Sequence, residues 1–82
     1  ASDVYKRQLY KTGLLYIKLE NANQALAYYN LVIEIEKNNP TFIEGRGDIY
    51  SLLNEKANAL KDYELALKLN PDNLSLKNKK DK

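Results

Sequence analysis

Glu44 and Asp48 are the residues of this chain best spaced for chemistry. Four apart, they share one face of a helix and repel each other by about 0.2–0.5 kcal/mol. Such a pair can attract a basic peptide, work as acid and base, or hold a hard metal. Acid–base work wants a nucleophile or a third polar group nearby, and along this stretch only Ser51 and Arg46 qualify. A solvated face accounts for the pair most simply, with contact to a basic peptide next. The end of the chain carries Lys77, Lys79, Lys80 and Lys82 against Asp81. Nucleic acid or anionic lipid could use such a run. No aromatics are interleaved with it and no basic stripe precedes it, so it reads better as a solubilising capping helix or frayed tail. Histidine and cysteine are both absent. That removes the usual general base, the commonest transition-metal ligand, and any thiolate site or disulfide. No catalytic residue, metal or cofactor is expected, and no small-molecule substrate.

The elements that position these residues must fit in 82 residues, enough for one small domain. About 60% of the unfolded surface can be buried at this size, so the core is modest. A composition of 44% hydrophobic and 29% charged residues fits a globular or helical-repeat chain rather than a disordered one. The net charge of +2 is too small to imply nucleic acid or acidic lipid by itself. No apolar run approaches the roughly 18 residues of a membrane span. The residues leave the compartment open.

An internal repeat organises the chain. Shifted by 34 residues without a gap, eight positions coincide: Gly13/Gly47, Tyr16/Tyr50, Leu19/Leu53, Ala25/Ala59, Leu26/Leu60, Tyr29/Tyr63, Leu31/Leu65 and Asn39/Asn73. Leu9/Ile43, Leu15/Ile49, Val32/Ala66, Ile33/Leu67 and Ile35/Leu69 stay apolar. Chance similarity between two leucine-rich helices would not keep Gly, Ala and Tyr in register. Each repeat reads as two helices. Ala25, Leu26, Tyr29, Val32 and Ile33 form one helical stripe, and Tyr28, Leu31 and Ile35 a second. Two stripes predict a helix covered on two sides. Asn38, Asn39 and Pro40 end it, and "NPDN" at 70–73 does the same one repeat later. "ENAN" (20–23) and "NEKAN" (54–58) mark the turns inside each repeat. A glycine inside a helix costs about 1 kcal/mol against alanine. Gly13 and Gly47, with Ala25 and Ala59, make sense where helices approach closely and tyrosines fill the space beside them.

These residues resemble the tetratricopeptide repeat pattern. Leu9, Gly13, Tyr16, Ala25, Tyr29 and Val32 fill it once, and Ile43, Gly47, Tyr50, Ala59, Tyr63, Ala66 and Pro71 fill it again. Thr12 and Arg46 depart from the family's usual leucine, and Lys37 from its first proline. The resemblance implies an all-α fold, an α-solenoid fragment of two helix-turn-helix hairpins plus a short C-terminal capping helix. The repeats would span 6–39 and 40–73, with the cap or tail at 74–82. It also implies a scaffold that binds a protein or peptide partner on the concave face formed by the first helices. The groove positions are then Tyr10, Leu14, Ile17 and Lys18, followed by Glu44, Asp48, Ser51 and Leu52. One subclass clamps a chaperone's C-terminal carboxylate with Lys and Asn. Tyr10, Leu14 and Gly45 occupy those places here, which argues against that ligand. A helical accessory segment of a larger enzyme is the alternative, and a nucleic-acid module a more distant one.

The opening "ASDVYKRQ", residues 1–8, resembles translated sequencing-adapter sequence, because codons exist for it that reproduce a transposase mosaic end base for base. These residues are therefore expected to extend the first helix by propensity, without evolved function, in an excerpt of a longer repeat protein. Two repeats are fewer than the three or so that stacked arrays usually need. The excerpt is expected to self-associate through the apolar side of its first hairpin.

Overall fold

The computed structural model describes residues 2–80. Ala1 of the opening octapeptide and Asp81 and Lys82 of the lysine tail lie outside the described residues. Five helices follow one another: α1 (Ser2–Lys18), α2 (Ala22–Ile35), α3 (Pro40–Leu52), α4 (Lys56–Leu69) and α5 (Leu74–Lys80). Among the described residues there is no strand. α1 packs on α2, α3 on α4, α2 on α3 and α4 on α5, so the chain is two stacked hairpins closed by a short fifth helix.

The repeated residues do repeated work at the helix ends. After α1, the Asn21 N–H donates to Tyr16 O at 2.9 Å and the Glu20 N–H to Ile17 O at 3.0 Å. After α3, the Glu55 N–H donates to Tyr50 O at 2.8 Å and the Asn54 N–H to Ser51 O at 3.0 Å. Both are Schellman caps, and both put their C′ residue in the left-handed region, Glu20 at φ 59° and Asn54 at φ 63°. α2 ends at Ile35, ahead of the stop expected at Asn38, Asn39 and Pro40, and Asn39 starts α3. Its Oδ1 accepts from Thr41 N at 2.9 Å and Phe42 N at 3.3 Å, with Pro40 at the first helical position, where no N–H is needed. Asn73 Oδ1 likewise accepts from Leu76 N at 3.1 Å and starts α5.

The first stripe of each second helix is the core. Ala25, Tyr29 and Val32 of α2 are buried, as are Ala59, Tyr63 and Ala66 of α4. Ile43 and Leu76 pack against the α4 set, while Leu9 and Phe42 pack around Val32. The second stripe departs from expectation. Tyr28 of that stripe stacks on Tyr16 of α1 at 5.6 Å, but Leu31 is 41% and Ile35 40% exposed and their counterparts Leu65 and Leu69 are similar, so the stripe is covered only in part. α2 and α4 meet their neighbours through the first stripe, and among the described residues no further element covers these four side chains. Residues 2–8 of the octapeptide lie within α1 without a break. Lys6 within it is ion-paired to Glu36, just beyond α2, and Asn39 donates to the same carboxylate at 2.7 Å. Lys6 and Asn39 hold the Glu36 carboxyl below its usual range.

The small residues carry a steric requirement. A Cβ on Gly13 would lie 2.9 Å from Tyr29 Cδ1, and one on Gly45 only 2.5 Å from Tyr29 Cε2. The Tyr29 ring therefore fills a slot between α1 and α3 that two glycines open. The close approach expected at Gly13 is between helix backbone and ring. Tyr63 sits against Gly47 in the same way, with Cε1 2.7 Å from the site of the missing Cβ. Ala25 is fully buried and Ala59 nearly so beside these rings. Substitution of either by leucine overfills that packing, so Ala25→Leu and Ala59→Leu should each lose about 1–3 kcal/mol in thermal or urea melts. Unchanged midpoints would mean that the helices can separate at no cost.

Candidate partner-binding groove

α1 and α3 bound an open cleft of about 310 Å3. Tyr10, Leu14 and Ile17 come from α1, and Thr41, Glu44, Gly45, Asp48, Ile49 and Leu52 from α3. Tyr29 of α2 closes its base. These side chains share one side because α1 and α3 are the first helices of successive hairpins, and their positions four and three to four apart recur on one face. Tyr10 bridges the wall to the core. Its ring meets Tyr29 edge-on at 5.8 Å and Phe42 at 4.8 Å. Leu14 is 38% exposed and Leu52 67% exposed. They present apolar surface to solvent at the two sides of the cleft.

The structure therefore brings together six of the eight residues expected at the groove: Tyr10, Leu14, Ile17, Glu44, Asp48 and Leu52. Lys18 is in the last turn of α1 and does not line the cleft. Ser51 faces a neighbouring depression with Ala59, Tyr63 and Lys79.

The two carboxylates are not the solvated face that their spacing suggested. Lys79 Nζ donates to Glu44 Oε2 at 2.8 Å and lies 3.0 Å from Asp48 Oδ1 and 3.1 Å from Oδ2. Asn73 Nδ2 donates to Glu44 Oε1 at 3.3 Å, and the Tyr63 hydroxyl donates to Asp48 Oδ1 at 2.7 Å. The ammonium also stands 5.8 Å from the Tyr63 ring centre. Burial pushes the Tyr63 phenol up, and its bond to Asp48 adds to the shift. Burial works against the charge on Lys79, but its bonds to Glu44 and Asp48 outweigh that and hold its pKa above the ordinary value. The lysine tail is thus helical through Lys80, and one of its lysines is spent inside the molecule. The signal was present in the sequence. Asn73 pairs with Asn39 at the 34-residue shift, and carrying that register on sets α5 against α4 as α3 is set against α2, with Lys79 at the place of Gly45.

Arg46 does not join Glu44 and Asp48. Its Nε and Nη2 each meet an Asp62 carboxylate oxygen at 2.8 Å, its Nη1 donates to Asn30 at 3.1 Å, and it lies 5.9 Å from the Tyr50 ring centre. The Asp62 bonds hold the guanidinium above its ordinary pKa. Asp62 is only 5% exposed, and sequence reasoning missed it. It lies on the buried stripe of α4 between Ala59 and Ala66, where Tyr28 stands in the first repeat. A lone aspartate on an apolar stripe opposite the arginine that replaces a family leucine was the available clue. Among the described residues no three acidic, histidine or cysteine side chains gather as a metal set. No helix of the described residues is long and apolar enough to cross a membrane.

Stacked two-helix hairpins with a groove formed by the first helix of each define a helical repeat module. Two family models, both described as Tetratricopeptide repeat, match residues 9–39 and 41–73. The chain belongs to the tetratricopeptide repeat family. Repeats of this family are in general protein–protein interaction motifs and typically serve as non-catalytic scaffolds. Comparison with curated proteins gives no match.

The Arg46–Asp62 pair generates a test. Removing the arginine leaves a buried carboxylate unpaired, which costs about 3–5 kcal/mol. Arg46→Met should therefore lower stability by that amount in urea unfolding. The double change Arg46→Thr with Asp62→Tyr copies Thr12 and Tyr28 of the first repeat and should recover most of the loss. A single variant as stable as the unaltered chain would contradict the pairing.

Proposed function

We propose that the cleft between α1 and α3 holds a segment of a partner protein, and that the chain is a scaffold module rather than an enzyme. The observation that carries this reading is the convergence of Tyr10, Leu14, Ile17, Glu44, Asp48 and Leu52 on one cleft. Its floor is aromatic and aliphatic, and one wall is acidic. Enclosed small-molecule sites range over about 300–1,000 Å3 and bury most of their ligand. This cleft is at the lower bound and open, so it suits one or two side chains of a larger ligand. Tyr10 is a suitable anchor, since tyrosines on a rigid scaffold give large contact area at little entropic cost. Its ring is already held by Tyr29 and Phe42, so little ordering remains to be done on binding.

A displayed random-peptide library selected on the full chain tests this. Leu14→Asp combined with Leu52→Asp changes two exposed groove residues and should leave the fold intact. Selected peptides should bind this variant about tenfold or more weakly, as expected for loss of central apolar contacts. Peptides that bind it equally well, or that depend instead on Leu31 and Leu65, would move the partner surface away from the groove.

A further inference from the structure

The acidic wall of the groove is already engaged by the chain's own last helix. Three oxygens, Glu44 Oε2 and both of Asp48, converge at 2.8–3.1 Å on one nitrogen, with the Tyr63 ring behind it. Convergence on a point suits the compact ammonium of lysine, which presents three donors from one atom, better than a planar guanidinium fork. Glu44 and Asp48 also line the cleft, so the lysine cradle and the groove share a wall.

α5 is built to hold this position weakly. Its described part, Leu74–Lys80, depends for its helical form on packing against the rest of the chain. Leu76 is its one buried side chain, and Lys79 supplies its ion pairs to α3. It follows α4 through the short connection Asn70–Asn73, which contains Pro71. A ligand that enters the cleft reaches Tyr10, Leu14 and Leu52 as well as the carboxylates, whereas the hydrogen bonds of Lys79 go to Glu44 and Asp48.

We propose that α5 is a displaceable latch: Lys79 occupies a lysine subsite of the groove, and a lysine-bearing segment of the partner protein takes that cradle when it binds. This rests on the groove reading above and names the partner's chemistry. The unbound module is self-complemented, so its acidic wall does not attract cations indiscriminately. An ammonium alone displaces the latch only at high concentration, and a partner that also offers apolar side chains does so at lower concentration. Its apparent affinity is lowered by the fraction of molecules whose latch is closed.

The test uses the full chain, unaltered and as Lys79→Gln, with Nα-acetyl-lysine methylamide as the probe and the norleucine analogue as its uncharged control. Binding is followed by the NMR signals of the Tyr63 ring and the Glu44 and Asp48 side chains. Lys79→Gln should bind the lysine probe about tenfold more tightly than the unaltered chain, with the shifts confined to those residues. In the unaltered chain, high probe concentration should release α5, seen as loss of amide-exchange protection at residues 76–80 while α1–α4 stay protected. Equal affinity in the two proteins would overturn the latch, as would an equal response to norleucine or no saturable shift in the variant. If Lys79→Gln loses protection throughout, the unaltered chain decides alone, and failure of the probe to release α5 overturns the proposal. The latch is read from the lysine probe and α5 exchange in proteins whose Leu14 and Leu52 are unaltered, and the groove from peptide binding to Leu14→Asp with Leu52→Asp. Failure of the groove reading and failure of the latch are therefore seen in separate measurements.

Discussion

Everything in this fold depends on where the Tyr29 ring goes. It comes from α2 and lies between α1 and α3, and it fits only because Gly13 and Gly45 lack side chains. Each of these glycines costs about 1 kcal/mol of helix propensity. Burial of the ring returns about 1.5–3 kcal/mol, and its edge contact with Tyr10 about 0.5–1.5 more. The exchange is favourable, and it sets the geometry. With the ring in place, α1 and α3 must run past α2 on either side of it, and that places their outer faces on one cleft. The groove follows from the packing beneath it.

Ionic contacts then tie the stack where apolar packing thins. Lys6 with Glu36 fastens α1 near the α2–α3 junction, Arg46 with Asp62 fastens α3 to α4, and Lys79 with Glu44 and Asp48 fastens α5 to α3. The three differ in kind. Lys6 and Glu36 are solvent-screened and matter little to stability. Asp62 is buried, so its arginine is obligatory once the aspartate is there. Lys79 is half-buried at the edge of the groove, where its cradle can be exchanged for contacts with another molecule. Hydrophobic burial drives folding of this chain. The charges decide which neighbours each helix keeps.

Much of this was legible in the sequence because repetition exposes steric rules. Glycine, alanine and tyrosine kept in one register announced close helix packing, and the Asn39/Asn73 pair marked junctions that proved to be helix caps. The groove positions came from the resemblance to tetratricopeptide repeats, and six of the eight line one cleft. What escaped was whatever the repeat does not repeat. Gly45 matches Lys11 and Lys79 at the 34-residue shift, so its role in admitting Tyr29 left no periodic trace. Asp62 stands opposite a tyrosine in the other copy, and its partner looked like local variation. Lys79 sat in a lysine-rich tail whose composition suggested solvation, and only the stacking of α5 brings it to Glu44 and Asp48. The second apolar stripe misled for a related reason: periodicity shows that a face is apolar, not that a neighbour covers it.

A double-mutant cycle between Gly45 and Tyr29 tests the central packing most directly. Gly45→Ala should destabilise the unaltered chain, since a Cβ 2.5 Å from the trapped ring costs more than the roughly 1 kcal/mol that alanine gains in a helix. In the Tyr29→Leu background the ring is gone, and the same change should become neutral or stabilising. The predicted coupling is about 1–3 kcal/mol in urea unfolding. Additive effects, or a Gly45→Ala variant that gains stability with Tyr29 present, would contradict the account.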